Sequence, residues 1–136
     1  MAFAKLDLLV NSSPAKAWAV VGKFDSPAKW HPFVDEVALS KDGKLRTLFL
    51  KNGQEVVERL TLHDDAAMSY HYQLVESGMP VQFCSFQMQV YGMGDQAHIV
   101  WSADFDPVDG VSEDDATAAI ERMLHSAEPG LVDLLG

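Results

Sequence analysis

Apolar and polar residues alternate at the start of the chain, with Ala4, Leu6, Leu8 and Val10 on one side and Lys5, Asp7 and Leu9 on the other. A two-residue period marks a strand with one buried face, so positions 3–10 are expected to be extended. The period then changes. Ser13 suits a helix cap, Pro14 suits the first helical position, and Ala17, Trp18, Val20, Val21 and Phe24 form the apolar stripe of a short helix. Asp25-Ser26-Pro27 interrupts it, and a second brief helical turn leads to Trp30. Strand-like segments follow at 33–40, 45–51, 54–63, 68–76, 83–92 and 96–106. They are separated by Asp42-Gly43, Asn52-Gly53, Asp64-Asp65, Ser77-Gly78 and Gly94-Asp95, which are hairpin signals and predict an antiparallel meander.

The last segment reads as a helix from Ser112. Glu113, Asp114 and Asp115 put negative charge on its positive end, and Ala116, Ala119, Ile120, Met123, Leu124, Ala127, Leu131 and Leu134 recur at helical spacing. Proline at 129 removes the bond to the carbonyl of His125, so a kink or restart is expected at Pro129-Gly130.

Period-two sorting separates the faces of the sheet. Val56, Glu58, Leu60 and Leu62 share one face of their strand, with Val57, Arg59, Thr61 and His63 on the other. Tyr70, Tyr72 and Leu74 oppose Ser69, His71 and Gln73; Cys84, Phe86, Met88 and Val90 oppose Ser85, Gln87 and Gln89. In the last strand Ile99, Trp101, Ala103 and Phe105 oppose His98, Val100, Ser102 and Asp104. One face of the sheet is therefore apolar and the other solvated. A single helix offering Ala119, Met123 and Ala127 does not fill the concavity of so long a sheet, which leaves room for an apolar cavity. Periodicity alone does not separate this from a filled core.

The 136 residues make one domain, 1–136, long enough to bury a core without staples. A net charge of −10 argues against nucleic acid and anionic membrane surfaces as partners. The single cysteine, Cys84, rules out an internal disulfide and fits a reducing cytoplasm. Met1 to Lys5 lacks a basic segment followed by an apolar one, so export is not expected. No apolar run approaches the roughly 18 to 20 residues of a membrane span.

Chemistry concentrates at a few positions. Glu58, a carboxylate on an apolar face, is desolvated and suited to acid–base work, or else is a structural residue bonded to backbone, a tyrosine or Arg46. Trp30-His31-Pro32-Phe33 joins the helical unit to the sheet and is expected to act as a lid, with His31 the titratable group at the entrance. Tyr70 and Tyr72 can donate hydrogen bonds to a ligand oxygen, or serve as core residues with satisfied hydroxyls. His63, His71 and His98 fall on the solvated face. No His, Cys, Asp or Glu pair has metal-ligand spacing, so no metal is expected. No nucleophile motif, phosphate loop or dinucleotide fingerprint occurs, so no cofactor is expected.

Ser13-Pro14 through Trp18, Phe24-Asp25-Ser26-Pro27, Trp30-His31-Pro32, Glu58-Arg59-Leu60, Asp64-Asp65, Ser69-Tyr70, Met79-Pro80-Val81 and Trp101-Ser102-Ala103-Asp104-Phe105 occur in a characteristic order. In this the whole chain resembles the SRPBCC, or START/Bet v 1-like, superfamily, and within it the bacterial polyketide cyclase/dehydrase-like branch. The resemblance implies an α+β helix-grip fold: an antiparallel seven-stranded curved sheet wrapped around a long C-terminal helix, with two short helices after the first strand. It also implies an internal cavity. The chain is more distantly similar to the plant abscisic-acid receptors, through Glu58-Arg59-Leu60, Asp64-Asp65 and Ser112 to Asp115, which implies pocket positions for Glu58 and Tyr72. The receptors' ligand-anchoring lysine falls at Asp35, their gate loop at the Asn52-Gly53 turn and their latch at Met79-Pro80-Val81, so hormone perception is not implied.

These observations predict a binding protein for a small hydrophobic molecule that is aromatic, lipid or polyketide-like. The expected contacts are Trp30, His31, Phe33, Glu58, Tyr70, Tyr72, Phe86, Met88, Trp101 and Met123. An alternative is a cyclase or dehydratase in which Glu58 or His31 moves a proton alpha to a carbonyl and Tyr70 or Tyr72 holds the enolate oxygen. A third is an interaction module, a monomer or a homodimer, with a filled core and no ligand.

Overall fold

A computed structural model describes residues 1–136. Strand β1 (Ala2–Val10) is followed by helices α1 (Pro14–Val21) and α2 (Pro27–Trp30). Strands β2 (Val34–Leu39), β3 (Leu45–Leu50), β4 (Glu55–Asp64), β5 (Ser69–Glu76), β6 (Val81–Met93) and β7 (Gln96–Pro107) come next, then helices α3 (Glu113–His125) and α4 (Glu128–Leu135). All seven strands form one antiparallel sheet in the order β1-β7-β6-β5-β4-β3-β2. Six strands, β2 to β7, run as the hairpin meander expected from the turn residues, and β1 closes onto β7. This is the helix-grip arrangement.

The alternation in β1 is kept without a fault: its even-numbered residues are buried and its odd-numbered ones exposed. Leu6, Leu8 and Val10 join Phe86, Met88, Ile99, Trp101 and Phe105 from the facing strands in one apolar cluster. Ile120 and Leu124 of α3 and Leu131 and Leu135 of α4 complete it. Both long-range helices start as their caps dictate. Ser13 Oγ accepts from the Lys16 amide at 3.2 Å and Ser112 Oγ from the Asp115 amide at 3.1 Å, each satisfying a donor the helix leaves open.

The C-terminal helix breaks between His125 and Glu128 and restarts with Pro129 in its first turn, where a missing N–H costs no bond. The break advances the helical phase. Leu134, expected on the buried stripe, is 43% exposed, and Leu135 is buried in its place. Gly130 explains why the restart lies there: a Cβ on it would stand 2.2 Å from the Trp30 carbonyl oxygen. The backbones of α4 and α2 meet at that point, and only glycine permits the approach.

One stretch of the predicted face sorting is corrected. The β4–β5 register slips between Leu60 and Leu62, so strict alternation ends at this bulge. Leu62, expected inside, is 56% exposed. His63, expected outside, turns back against α1, where its Nε2 bonds the Gly22 carbonyl at 3.0 Å and its ring lies 5.7 Å from Trp18 and 6.0 Å from Tyr70. His98 stays on the outer face, paired with Asp7 at 2.8 Å.

Candidate ligand cavity

A cavity of about 330 Å³ lies between α3 and the sheet. Thirteen of its 22 lining residues are hydrophobic, which makes it an apolar container with a few polar groups. It is bounded by α2, by the segment after it, and by residues of every strand except β1. Ala119 and Met123 of α3 form its helical wall, and their modest size leaves the space open.

Eight of the ten expected contacts line this cavity: Trp30, His31, Phe33, Glu58, Tyr72, Phe86, Trp101 and Met123. Two do not. Tyr70 and Met88 have the right facing, but both are fully buried in the apolar cluster beyond the cavity. Period two gives the face of a strand and not the depth along it, so these two were indistinguishable from Tyr72 and Phe86 in sequence.

The segment expected to be a lid is instead a fixed wall. Trp30 is 2% exposed, its indole N–H donates to Ser26 Oγ at 3.0 Å, and its ring meets Trp101 edge-on at 5.3 Å. His31 is buried rather than at the entrance. Its Nδ1 accepts from the Phe33 amide at 3.2 Å, which makes Nε2 the protonated nitrogen, and Nε2 donates to the Met123 carbonyl at 2.9 Å. Burial holds His31 below the ordinary imidazole range, against the opposing pull of the Met123 carbonyl. Phe33, 45% exposed, belongs to the rim. The exposed charged side chain on the lining is Arg122 of α3, not His31.

A buried ion pair sits in the wall. Arg46 of β3 and Glu58 of β4 are register partners, and Arg46 Nε donates to Glu58 Oε1 at 2.8 Å, the length of a charge-assisted bond. Arg46 Nη1 donates to the Phe24 carbonyl at 2.7 Å. The guanidinium carbon lies 4.2 Å from the centroid of Phe24 and 4.5 Å from that of Tyr72, so aromatic faces supply further cation contact. Burial pushes the Glu58 carboxyl upward and Arg46 opposes that rise. For Arg46, burial alone acts downward, but Glu58 leads the groups that hold it above its ordinary value, so it remains a cation.

Arg46 was absent from the expected contacts, although a signal existed: Arg46, Leu48 and Leu50 share one face at period two, and register puts it on the face that carries Glu58. Tyr72 Oη accepts from the Trp101 indole at 2.8 Å, and burial raises its phenol well above the ordinary range, so it stays a donor. The Tyr70 hydroxyl lies in the field of Arg46 but makes no hydrogen bond. Burial pushes the Cys84 thiol up to about 12, which leaves it unreactive.

A second concavity between α1 and β4, lined by Trp18, Phe24, Leu60, His63 and Asp65 among others, is a shallow groove open to solvent and holds none of the expected contacts. No three His, Cys, Asp or Glu side chains converge as a metal site, and no helix is long and apolar enough to cross a membrane.

Sheet, gripped helix and apolar cavity together define a START-like helix-grip protein. Residues 6–134 match the family described as polyketide cyclase / dehydrase and lipid transport, and the chain belongs to that family. No curated protein matches the sequence. Among solved structures, the chain is similar to the protein XoxI of Bacillus cereus, with 25% identity and a TM-score of 0.94 over 99% of this chain and 96% of that one. It shares the fold of a START superfamily protein from Mycobacterium smegmatis, with 13% identity and a TM-score of 0.81 over 98% and 96% of the two chains. It likewise shares the fold of the Zhui aromatase/cyclase from a Streptomyces species, with 15% identity and a TM-score of 0.76 over 98% and 90%.

Proposed function

We propose that the protein binds one small hydrophobic molecule, aromatic, lipid or polyketide-like, in the cavity against α3. The observation that carries this reading is the apolar space of about 330 Å³ bounded by Trp30, Phe86, Trp101 and Met123, within the range of ligand pockets. Burial of an apolar ligand there contributes about 25 cal/mol for each Å² removed from water. An interaction module with a filled core is disfavoured by the same space.

The cyclase reading draws support from the family description and from the acid–base types around the cavity. Two observations weigh against it. Both nitrogens of His31 are committed to backbone partners, which leaves none to move a substrate proton. Glu58 is already committed to a guanidinium through Oε1, so proton transfer to it would break a buried ion pair. Binding without turnover therefore accounts for more of the geometry.

The test is native mass spectrometry of freshly purified protein together with an Ala119→Phe variant. The wild type is expected to carry a co-purifying apolar compound at one per chain. The variant, whose added ring occupies the cavity, is expected to be folded and empty. A variant that retains the compound would contradict the proposed location.

A further inference from the structure

The polar atoms that border this apolar cavity describe the ligand's own polar group. Arg46 has five N–H donors and uses two, one on Glu58 and one on the Phe24 carbonyl. Glu58 Oε1 is taken by Arg46, while Oε2 accepts nothing from the protein. Tyr72 Oη accepts from Trp101, and its own proton has no protein acceptor. All three residues are at most 4% exposed and all three line the cavity. One wall of an otherwise apolar space thus carries spare donors and one spare acceptor, on a pair of opposite charges that already cancel.

We infer that the cavity selects a neutral ligand carrying a hydroxyl group, a phenol or an alcohol on an apolar skeleton, rather than a carboxylic acid or a bare hydrocarbon. This rests on the proposed binding function and deepens it. A hydroxyl is both donor and acceptor, so it gives its proton to Glu58 Oε2 and accepts from Tyr72 or Arg46. A carboxylate brings a second negative charge to a site where Glu58 has already neutralised Arg46, and it loses its hydration for no net partner. A hydrocarbon leaves the spare donors and acceptor unpaired. The one other cation on the lining, Arg122, is exposed and stands on α3, not on the strands that carry this pair.

The inference is tested by calorimetric titration with 2-naphthol, naphthalene and 2-naphthoate at neutral pH, on the wild type and on Arg122→Gln. 2-Naphthol is expected to bind about tenfold more tightly than either of the others in Arg122→Gln, where any attraction of an anion to the rim has been removed. Glu58→Gln leaves Arg46 uncompensated and is expected to reverse the order, with 2-naphthoate preferred. Tyr72→Phe, which keeps the ring and loses the donor, is expected to shrink the preference for 2-naphthol and serves if Glu58→Gln does not fold. Naphthalene or 2-naphthoate binding as tightly as 2-naphthol in Arg122→Gln would overturn the inference and leave the cavity reading intact. Failure of all three to bind would instead remove the binding function itself.

Discussion

Arg46 and Glu58 face one another across two strands, and neither side chain reaches bulk water. Removing one member leaves the other charged and buried, at a cost of about 3–5 kcal/mol, whereas replacing both with apolar residues restores much of the loss. Arg46→Met and Glu58→Leu are each expected to be strongly destabilised, and the double variant more stable than either single one, as read from urea denaturation. His31 makes a separate prediction. The fold holds its imidazole neutral, below the unfolded value near 6.5, so its contribution is present above that value and declines as pH falls through it. Stability is expected to drop between pH 7 and pH 5 with a slope of at most about 1.4 kcal/mol per pH unit from this group, and His31→Gln to flatten that part of the curve. A sequence shows Glu58 as a charge on an apolar face. It does not show that the charge is spent on Arg46, because pairing depends on β3–β4 register, nor that both nitrogens of His31 meet backbone atoms 2 and 92 positions away.

Elements were legible wherever local pattern and tertiary packing agree. β1, the helix caps and the hairpin turns are of this kind, since each is decided by neighbours in the chain. The exceptions are places where one residue too many is accommodated. The bulge at Leu60–Leu62 reverses the facing of the end of β4, and the restart at Glu128 moves the buried stripe from Leu134 to Leu135. A third irregularity lies between Gln82 and Ser85, where Phe83 adopts φ 53° and is 77% exposed. A left-handed phenylalanine with so little buried contact is strained, so Phe83→Gly is expected to stabilise the protein by about 1 kcal/mol in thermal melts. The opposite sign is expected at Gly130, where alanine would press a methyl group against the Trp30 carbonyl. Gly130→Ala is expected to cost about 1–3 kcal/mol and to loosen the α2–α4 contact that supports the cavity wall.

At the scale of the molecule, the sheet curls around a helix too slender to fill it, and the remaining space is the proposed ligand site. The order of elements made this fold readable from one sequence. The container was only half readable, because a cavity is a shortage of side-chain volume summed over many strands, and no local pattern records it. Three tryptophans provide a direct report on where a ligand goes. The indole N–H groups of Trp30 and Trp101 bond Ser26 and Tyr72 beside the cavity, and that of Trp18 bonds Asp65 in the open groove between α1 and β4. Titration of nitrogen-15-labelled protein with 2-naphthol, followed through the three indole signals, is the measurement that bears most directly on the central claim. Saturable shifts of the Trp30 and Trp101 signals, with Trp18 unmoved, are the predicted result. Movement of Trp18 alone, or no movement of any of the three, would contradict a ligand cavity against α3.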